Sequence, residues 1–135
     1  MKRHQLITMA CVLSALCQTS FAAGQVFVTN EGSGDISVID RNTDTVIHTI
    51  ATQGKPRGLA VCRHDVHLYV SNQNGSQLQA IHTQTYAIEK TLTLGESPEA
   101  VYCSPDGQWV AVANEGSNSV SFISTAKWKV QFSIP

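Results

Sequence analysis

The sequence predicts an all-β fold of the β-propeller class, in which four-stranded sheets are arranged as blades around a central axis. The first observation is a repeat. The segments Val26–Asn30, Leu68–Asn72 and Val110–Asn114 resemble one another, and their asparagines at positions 30, 72 and 114 set a period of 42 residues. The second is that Pro56 and Pro98 are separated by the same 42 residues. A period of roughly 40–45 residues that contains several short strand-like runs is typical of a propeller.

The composition is that of one folded domain. The chain has 135 residues, of which 42% are hydrophobic and 14% are charged, so it can bury a core and lacks the charge-rich composition of disorder. The formal net charge is −1, and without a basic surface we expect no nucleic-acid partner and no attraction to anionic membranes.

The N-terminal 22 residues have the features of a secretory signal peptide. Basic residues precede an apolar run over Leu6–Leu16, and Ser20–Ala22 places small residues at both ends of a cleavage triplet. We therefore predict a signal peptide over residues 1–22 and a periplasmic or secreted mature chain with no membrane segment. The alternative is a membrane anchor, but a run of about 11 residues is too short to span ~30 Å of hydrocarbon.

The predicted mature chain, residues 23–135, divides into short strand-like runs, four to a full repeat, labelled A to D. Blade 1 spans 26–50 and has only strands B, C and D, whereas blades 2 and 3 span 56–94 and 98–135 and have all four. The strands predicted for blade 1 are Val26–Asn30, Asp35–Ile39 and Val46–Ile50. Those of blade 2 are Gly58–Cys62, His67–Asn72, Leu78–His82 and Ile88–Leu94. Those of blade 3 are Ala100–Cys103, Trp109–Asn114, Ser119–Ile123 and Lys129–Ile134.

The polarity of each strand predicts its place in the blade. Strand B is apolar nearly throughout, as in Val26–Val28 and Val110–Val112, which indicates a strand buried on both faces between neighbouring sheets. Strand D carries charges such as Glu89 and Lys90, which suit an outer edge because charge discourages stray strand pairing. A two-sheet sandwich is the main rival fold, but it offers no reason for a strict 42-residue repeat.

On these residues the chain resembles the YVTN repeat family of propellers. The motif that names the family corresponds to Val26–Asn30 (VFVTN), and the next strand, Ile36–Asp40 (ISVID), is close to the family's V-x-V-I-D pattern. Pro56–Gly58 (PRG) is similar to the family's P-x-G entry to strand A, and Ser104–Gly107 (SPDG) matches its S-P-D-G turn. No Trp-Asp or Gly-His pair recurs, which argues against WD40 repeats.

The resemblance implies a propeller fold for the whole mature chain. Within the family, the leader that runs directly into strand B and the segment Ala113–Glu115 are similar to a periplasmic subgroup associated with pyrroloquinoline-quinone (PQQ)-dependent alcohol catabolism. The resemblance therefore implies a link to quinoprotein metabolism. The mature chain holds about 2.7 repeats. Because propellers close with four to eight blades, we expect an incomplete ring that is either a fragment of a longer product or closes by oligomerisation.

Strand direction places the B–C and D–A loops on one face of the predicted propeller. Arg57 and Glu99 begin the innermost strands on this face, near the central channel where propellers commonly bind ligands. The residues predicted to bind a protein partner or small ligand are Arg57, Glu99, Asn30, Asn72 and Asn114. The same face also carries Glu31, Gln73 and Glu115. The competing interpretation is that the asparagines bond to the backbone of turns, as Asn side chains readily do.

The sequence contains no pattern that identifies a catalytic centre. The histidines are scattered and only His64 and His67 are close in sequence, so we predict no metal site. No Cys-x-x-Cys-His haem motif and no Gly-x-Ser-x-Gly elbow occurs, and no cofactor is evident. We therefore favour a non-catalytic binding scaffold. The alternatives are a fragment of a quinoprotein or haem-d1-type propeller oxidoreductase, and a structural repeat protein of a surface layer.

Cys62 and Cys103 are the two cysteines of the predicted mature chain. They lie at the ends of neighbouring strands A but one residue out of phase, since Cys103 aligns with Val61. Opposite parity directs the two side chains to opposite faces of their blades. Stacked blades meet through opposite faces, so the offset permits a disulfide between blades. Two buried thiols that act as small hydrophobic side chains are the interpretation that the sequence favours.

Overall fold

The computed structural model describes residues 24–62 and 66–135, which form an antiparallel all-β structure with one 3₁₀ turn at Gln73–Gly75. Blade 1 contains β1 (Gln25–Asn30), β2 (Asp35–Asp40) and β3 (Thr45–Ala51). Blade 2 contains β4 (Pro56–Val61), β5 (His67–Asn72), β6 (Gln77–His82) and β7 (Ile88–Thr93). Blade 3 contains β8 (Pro98–Cys103), β9 (Trp109–Asn114), β10 (Ser119–Ser124) and β11 (Lys129–Ile134). No helix in the described part of the chain has the length and apolar character needed to cross a bilayer.

Each blade is a meander in which every strand pairs with the next one in sequence. The three sheets have the orders β1-β2-β3, β4-β5-β6-β7 and β8-β9-β10-β11, and all pairs are antiparallel. The predicted all-β class and the incomplete β-propeller are confirmed. The predicted signal peptide over residues 1–22 and the histidine at position 64 lie outside the described residues.

The start of strand A differs from the prediction in both blades that contain it. Strand β4 begins at Pro56 rather than Gly58, and β8 begins at Pro98 rather than Ala100. Proline lacks the amide hydrogen that a sheet ladder needs, but the first position of a strand does not require that donor. The registers pair the two prolines with the asparagines that end strand B, and a bulge follows each proline.

Two hydrophobic clusters hold the blades together. Between blades 1 and 2 the buried residues are Ile36, Val38, Ile50, Leu68, Val70 and Ile81. Between blades 2 and 3 they are Cys62, Tyr69, Leu78, Ala80, Val101, Val110, Val112 and Ile123. Strand β5 contributes Leu68 and Val70 to the first cluster and Tyr69 to the second. Strand B of blade 2 is therefore buried on both faces, as its apolar centre predicts, whereas Val26 and Val28 in strand B of blade 1 are 42% and 40% exposed.

A bulge recurs at the same place in every blade. The register between strands C and D shifts after Val38, Ala80 and Phe122, which are spaced by the 42-residue period. A bulge increases the local right-handed twist of the strands that carry it. The 42-residue repeat in sequence is therefore accompanied by the same local twist between strands C and D in each blade.

The innermost strands of blades 2 and 3 approach each other closely at Gly58. A side-chain carbon at this position would collide with the carbonyl oxygen of Glu99 in the next blade. The hydroxyl of Ser71 sits at the same crossing, where it accepts a hydrogen bond from the Gly58 amide at 2.9 Å and donates one to the Glu99 carbonyl at 2.5 Å. One repeat earlier, the Thr29 hydroxyl donates to the Arg57 carbonyl at 2.8 Å. The hydroxyl residue before the asparagine of strand B thus fixes the next blade's strand A.

In the structure Cys62 and Cys103 form a disulfide that joins blade 2 to blade 3 across a sequence separation of 41 residues. Their Cα atoms are 5.3 Å apart, within the range that a disulfide requires. Cys62 directly follows β4 and Cys103 is the last residue of β8, and Arg57 and Glu99 lie at the beginnings of the same two strands. The innermost strands of these blades are therefore connected covalently at one end and by charged side chains at the other.

Candidate functional site

A cluster of three charged side chains lies where the innermost strands begin. Arg57 and Glu99 are each the second residue of a strand A, and Glu31 belongs to the loop after β1. Arg57 Nη2 lies 3.0 Å from Glu99 Oε1, and its Nη1 lies 3.8 Å from Glu31 Oε1. The structure thus brings together the two charged residues predicted from the repeat and adds Glu31. One side chain comes from each blade.

The cluster borders an open cavity of about 320 Å³. Its lining consists of Thr29, Glu31, Pro56, Arg57, Gly58, Glu99 and Ala100. Arg57 and Glu99 are about one-third exposed, at 34% and 30%, so solvent and ligands can reach both side chains. Two carboxylates and one guanidinium leave the lining with a net negative charge.

The lining combines donors and acceptors of opposite charge. The guanidinium offers fixed N–H donors and the carboxylates offer acceptors in a planar arrangement. The one hydroxyl in the lining, that of Thr29, already donates to the Arg57 carbonyl. No cysteine, histidine or lysine lines the cavity.

The three predicted asparagines use their side chains within the fold. Asn30 Nδ2 donates to Asp35 Oδ1 at 2.7 Å and to Ser37 Oγ at 2.9 Å. Asn114 Nδ2 donates to Ser119 Oγ and Ser121 Oγ at 3.3 and 2.9 Å. These bonds span the B–C turn of each blade, but they end on side chains and not on the turn backbone that the competing interpretation expected.

Asn72 is bonded differently from its two counterparts. Its Oδ1 accepts from the Lys55 amide at 3.0 Å, and its Nδ2 donates to the Thr52 carbonyl at 3.0 Å. Asn72 therefore bridges its own blade to the D–A loop that precedes it. Asn72 and Asn114 are almost fully buried, at 2% and 1% exposure, and the structure does not bring any of the three asparagines into the charged cluster. Their predicted role in binding stays a prediction.

The described histidines take part in pairwise contacts. His67 Nε2 lies 2.8 Å from Glu89 Oε2, His48 stacks on Tyr86 at 4.4 Å, and His82 Nδ1 accepts hydrogen bonds from two backbone amides. The bond to His67 lowers the pKa of the Glu89 carboxyl below its ordinary value. Across residues 24–62 and 66–135, no group of three ligand-type side chains could hold a metal ion.

Three repeated blades with a charged cluster at their innermost strands define a β-propeller repeat protein. The chain belongs to the YNCE-like beta-propeller family, whose sequence model matches residues 4–134. The propeller recognised from the strand B motif is thereby confirmed. The narrower similarity to the subgroup associated with PQQ-dependent catabolism stays a prediction.

Solved structures that share the fold include a synthase and a dehydrogenase. Kuenenia stuttgartiensis hydrazine synthase superposes with a TM-score of 0.77 at 25% identity, covering 81% of this chain and 32% of that one. The dihydro-heme d1 dehydrogenase NirN, in complex with DHE, superposes with a TM-score of 0.71 at 15% identity, covering 84% and 24%. Among curated proteins, Antigen Lp49 of Leptospira interrogans serogroup Icterohaemorrhagiae serovar copenhageni is 23% identical over 87 residues, 64% of this chain and 19% of that protein. The chain spans between about a fifth and a third of the length of these relatives.

Proposed function

We propose that the protein is a non-catalytic binding scaffold whose B–C and D–A loop face recognises a positively charged group, such as a lysine or arginine side chain on a protein partner or a small cationic ligand. The observation that carries the proposal is the Arg57 guanidinium held between Glu31 and Glu99 at an open cavity. Each member of this cluster comes from a different blade, so relative blade position sets its geometry.

The charge balance of the cluster favours a cationic ligand. Arg57 lies 3.0 Å from Glu99 but 3.8 Å from Glu31, so the Glu31 contact is beyond ordinary hydrogen-bond length. An ammonium or guanidinium group entering the cavity gains Glu31 as a partner without breaking the shorter pair. An anionic ligand would have to compete with two carboxylates for Arg57.

The surrounding loops reinforce this preference at longer range. The charged residues of this face are Glu31, Asp35, Glu96, Glu99 and Glu115, against Lys55 and Arg57. An acidic excess over one face raises the local concentration of cationic partners and speeds their association. The effect weakens as salt increases, because the Debye length falls to about 8 Å at 0.15 M ionic strength.

The test is titration of the protein with capped tripeptides that differ only in a central Lys, Arg, Glu or Gln, followed by NMR chemical shifts. We expect the Lys and Arg peptides to bind and to perturb the amides of residues 31, 57 and 99. Glu31→Gln and Glu99→Gln should each weaken that binding by roughly threefold to tenfold. This loss lies between the contribution of an exposed ion pair and that of a hydrogen bond to a charged group.

Glu115→Gln is the matched control, since Glu115 is exposed on the same face but does not line the cavity. Equal binding of the Glu peptide, or Lys-peptide binding that survives both cavity substitutions, would count against the proposal. A visible absorption band or quinone-dependent dye reduction by the purified protein would instead favour the oxidoreductase alternative.

We also propose that the protein acts in the periplasm or outside the cell. The signal-like residues 1–22 and the disulfide between Cys62 and Cys103 support this, because structural disulfides persist in oxidising compartments. Intact-mass measurement of the protein produced with its leader should give a chain that begins at residue 23. A chain that retains residues 1–22 would contradict the proposal.

A further inference from the structure

A second cleft lies between blades 1 and 2 and shares no lining residue with the charged cavity. Its volume is about 590 Å³. The lining residues are Thr52, Gln53, Asn72, Asn74, Gly75, Gln77, Gln79, Ile88 and Thr91. No ionisable side chain is among them, and five of the nine residues carry a carboxamide. We call this site the amide cleft.

The repeat provides an internal control for the composition of the amide cleft. One period later, between blades 2 and 3, its four carboxamides other than Asn72 are replaced by glycine or serine. The replacements of Gln53, Asn74, Gln77 and Gln79 are Gly95, Gly116, Ser119 and Ser121. Both pairs of blades pack through hydrophobic clusters. Blade packing therefore does not require these carboxamides, and their concentration in one cleft needs another explanation.

Gln79 departs most from the repeat in its bonding. Its counterparts Ser37 and Ser121 accept a hydrogen bond from the strand B asparagine of their own blade. Gln79 is 5% exposed, and its Nε2 donates to the Thr52 carbonyl at 3.1 Å, whereas its Oε1 has no hydrogen-bond partner among the described residues. If Oε1 and Nε2 of Gln79 exchanged places, Oε1 would face the Thr52 carbonyl oxygen, and two acceptors would then be in contact. Buried acceptors normally have partners; among the described residues Asn114 Oδ1 is unpartnered as well, but only Gln79 lines the amide cleft.

The backbone of Gln53 adds an independent observation. Its φ is 57°, in the left-handed region, which costs a residue with a side chain free energy relative to glycine. The other non-glycine residues in this region at B–C and C–D turns recur with the period: Ser76 with Asn118, and Asp44 with Tyr86 and Trp128. Gln53 and Ser97, which both lie in D–A loops, have no counterpart at the equivalent repeat position, and position 95 is a glycine without positive φ. A carboxamide is thus kept at the rim of the cleft in an unfavourable conformation.

We propose that the amide cleft binds a neutral, hydroxyl-rich ligand, namely a mono- or disaccharide, free or as part of a glycan. Carboxamides present donors and acceptors together and so match hydroxyl groups, which are both. A ligand hydroxyl would donate to the unpartnered acceptor of Gln79, and Ile88 offers apolar surface for a sugar C–H face. A lining without ionisable side chains has no counter-charge for an ionised ligand, and the volume lies within the range of ligand pockets.

The experiment is a titration of the full chain with glucose, galactose, cellobiose and N,N′-diacetylchitobiose, followed by NMR shifts of side-chain amides and by calorimetry. Gluconate and glucosamine serve as charged probes. We expect at least one neutral saccharide to bind, to shift the side-chain amides of Gln77 and Gln79, and to bind at least tenfold more tightly than either charged probe.

Gln79→Ser and Gln77→Ser test the site with substitutions that the repeat already accommodates at positions 121 and 119. Each should weaken saccharide binding at least tenfold, while Gln84→Ser, an exposed glutamine in the C–D turn of the same blade, should leave it unchanged. Free sugar and protein-linked glycan are separated by repeating the titration with a glycosylated peptide and its unglycosylated form. Absence of binding to every neutral saccharide would overturn the proposal. So would binding that shifts no amide of the cleft, a readout that wild-type protein provides even if a variant misfolds.

Discussion

Gly58 illustrates how one residue sets the distance between two blades. A Cβ atom here would collide with the Glu99 carbonyl, which is backbone and cannot rotate away. The Ser71 hydroxyl bonds to both residues at the same crossing. The charged cluster depends on this approach, because Arg57 and Glu99 flank the contact in β4 and β8.

We predict that Gly58→Ala lowers the free energy of unfolding by roughly 1–3 kcal/mol, the range for overpacking a close contact. Urea denaturation followed by circular dichroism measures the change. Gly32→Ala is the control, because a Cβ at that position meets nothing within 4 Å. Equal effects of the two substitutions would show that the crossing tolerates a shift.

The contact between His67 and Glu89 makes the stability of the protein depend on pH through two side chains. The hydrogen bond from His67 is the largest cause of the lowered Glu89 pKa. A depressed folded-state pKa contributes stability above the unfolded value, 4.5, and this contribution is lost as the pH falls through the folded value. We predict that NMR titration of His67→Ala returns the Glu89 pKa towards 4.5, while the pKa of Asp106, which is lowered by its bond to Ser104, stays where it is. A Glu89 pKa that does not change in the His67→Ala variant would show that His67 is not the cause of the lowered pKa.

At the scale of elements, the innermost strands β4 and β8 are joined at both ends by different means. The disulfide connects one end and the Arg57–Glu99 pair the other. Thr29 and Ser71, which precede the asparagines of β1 and β5, add hydroxyl contacts to the next blade. The strand B motif is a short stretch of sequence, but its hydroxyl residue contacts a different element, the strand A of the next blade.

We predict that replacing Cys62 and Cys103 together by alanine lowers the free energy of unfolding by about 3–4 kcal/mol, as expected in the chain-entropy model for a loop between ~15 and ~100 residues. Urea denaturation with and without dithiothreitol measures it. The reductant should destabilise the wild-type protein to the level of the double variant and leave that variant unaffected. A wild-type protein insensitive to reductant after unfolding in its presence would contradict the prediction.

At the scale of the whole molecule, the two outermost blade faces are apolar and exposed. Val28 is 40% exposed, whereas its repeat counterparts Val70 and Val112 are fully buried between blades. On blade 3, Tyr102 is 70% and Phe132 50% exposed. These faces are repeat-equivalent to the two sides of the interfaces that already hold blades 1, 2 and 3 together.

We therefore predict that residues 23–135 self-associate, with the outer face of blade 3 packing on the outer face of blade 1 of a second copy. Sedimentation velocity should show concentration-dependent association that Val28→Ser and Tyr102→Ser both reduce. Val61→Ser is the control, since Val61 is also exposed but belongs to blade 2. A protein that stays monomeric at all concentrations would contradict the prediction that these two faces pack on each other.

Much of the fold could be predicted because the 42-residue period is visible directly in the sequence. The boundaries of β5, β9 and β11 agree with the polarity pattern residue by residue. The predicted starts of β4 and β8 are two residues too late, because each proline and the residue after it look like an entry segment before the strand and not like its first two members. The sequence permits the disulfide but favours two thiols, because parity shows that two cysteines can meet but not how far apart their strands lie.

The charged cluster was partly predictable, since Arg57 and Glu99 occupy equivalent positions one period apart. The sequence predicts Glu31 on the same face but not its contact with Arg57, and it does not predict the amide cleft, because both depend on how neighbouring sheets stack. The signal for the cleft was present as a departure from the repeat at Gln77 and Gln79, but only three-dimensional placement shows that the departures face one space.

The sequence by itself determined the repeat, the all-β class and the residues that alternate between two buried faces, because strand periodicity and hydrophobic burial act along the chain. The tertiary structure alone decided which side chains of different blades come within bonding distance. Those distances depend on the angle and spacing of stacked sheets, which are set jointly by the core side chains, by the close approach at Gly58 and by the disulfide.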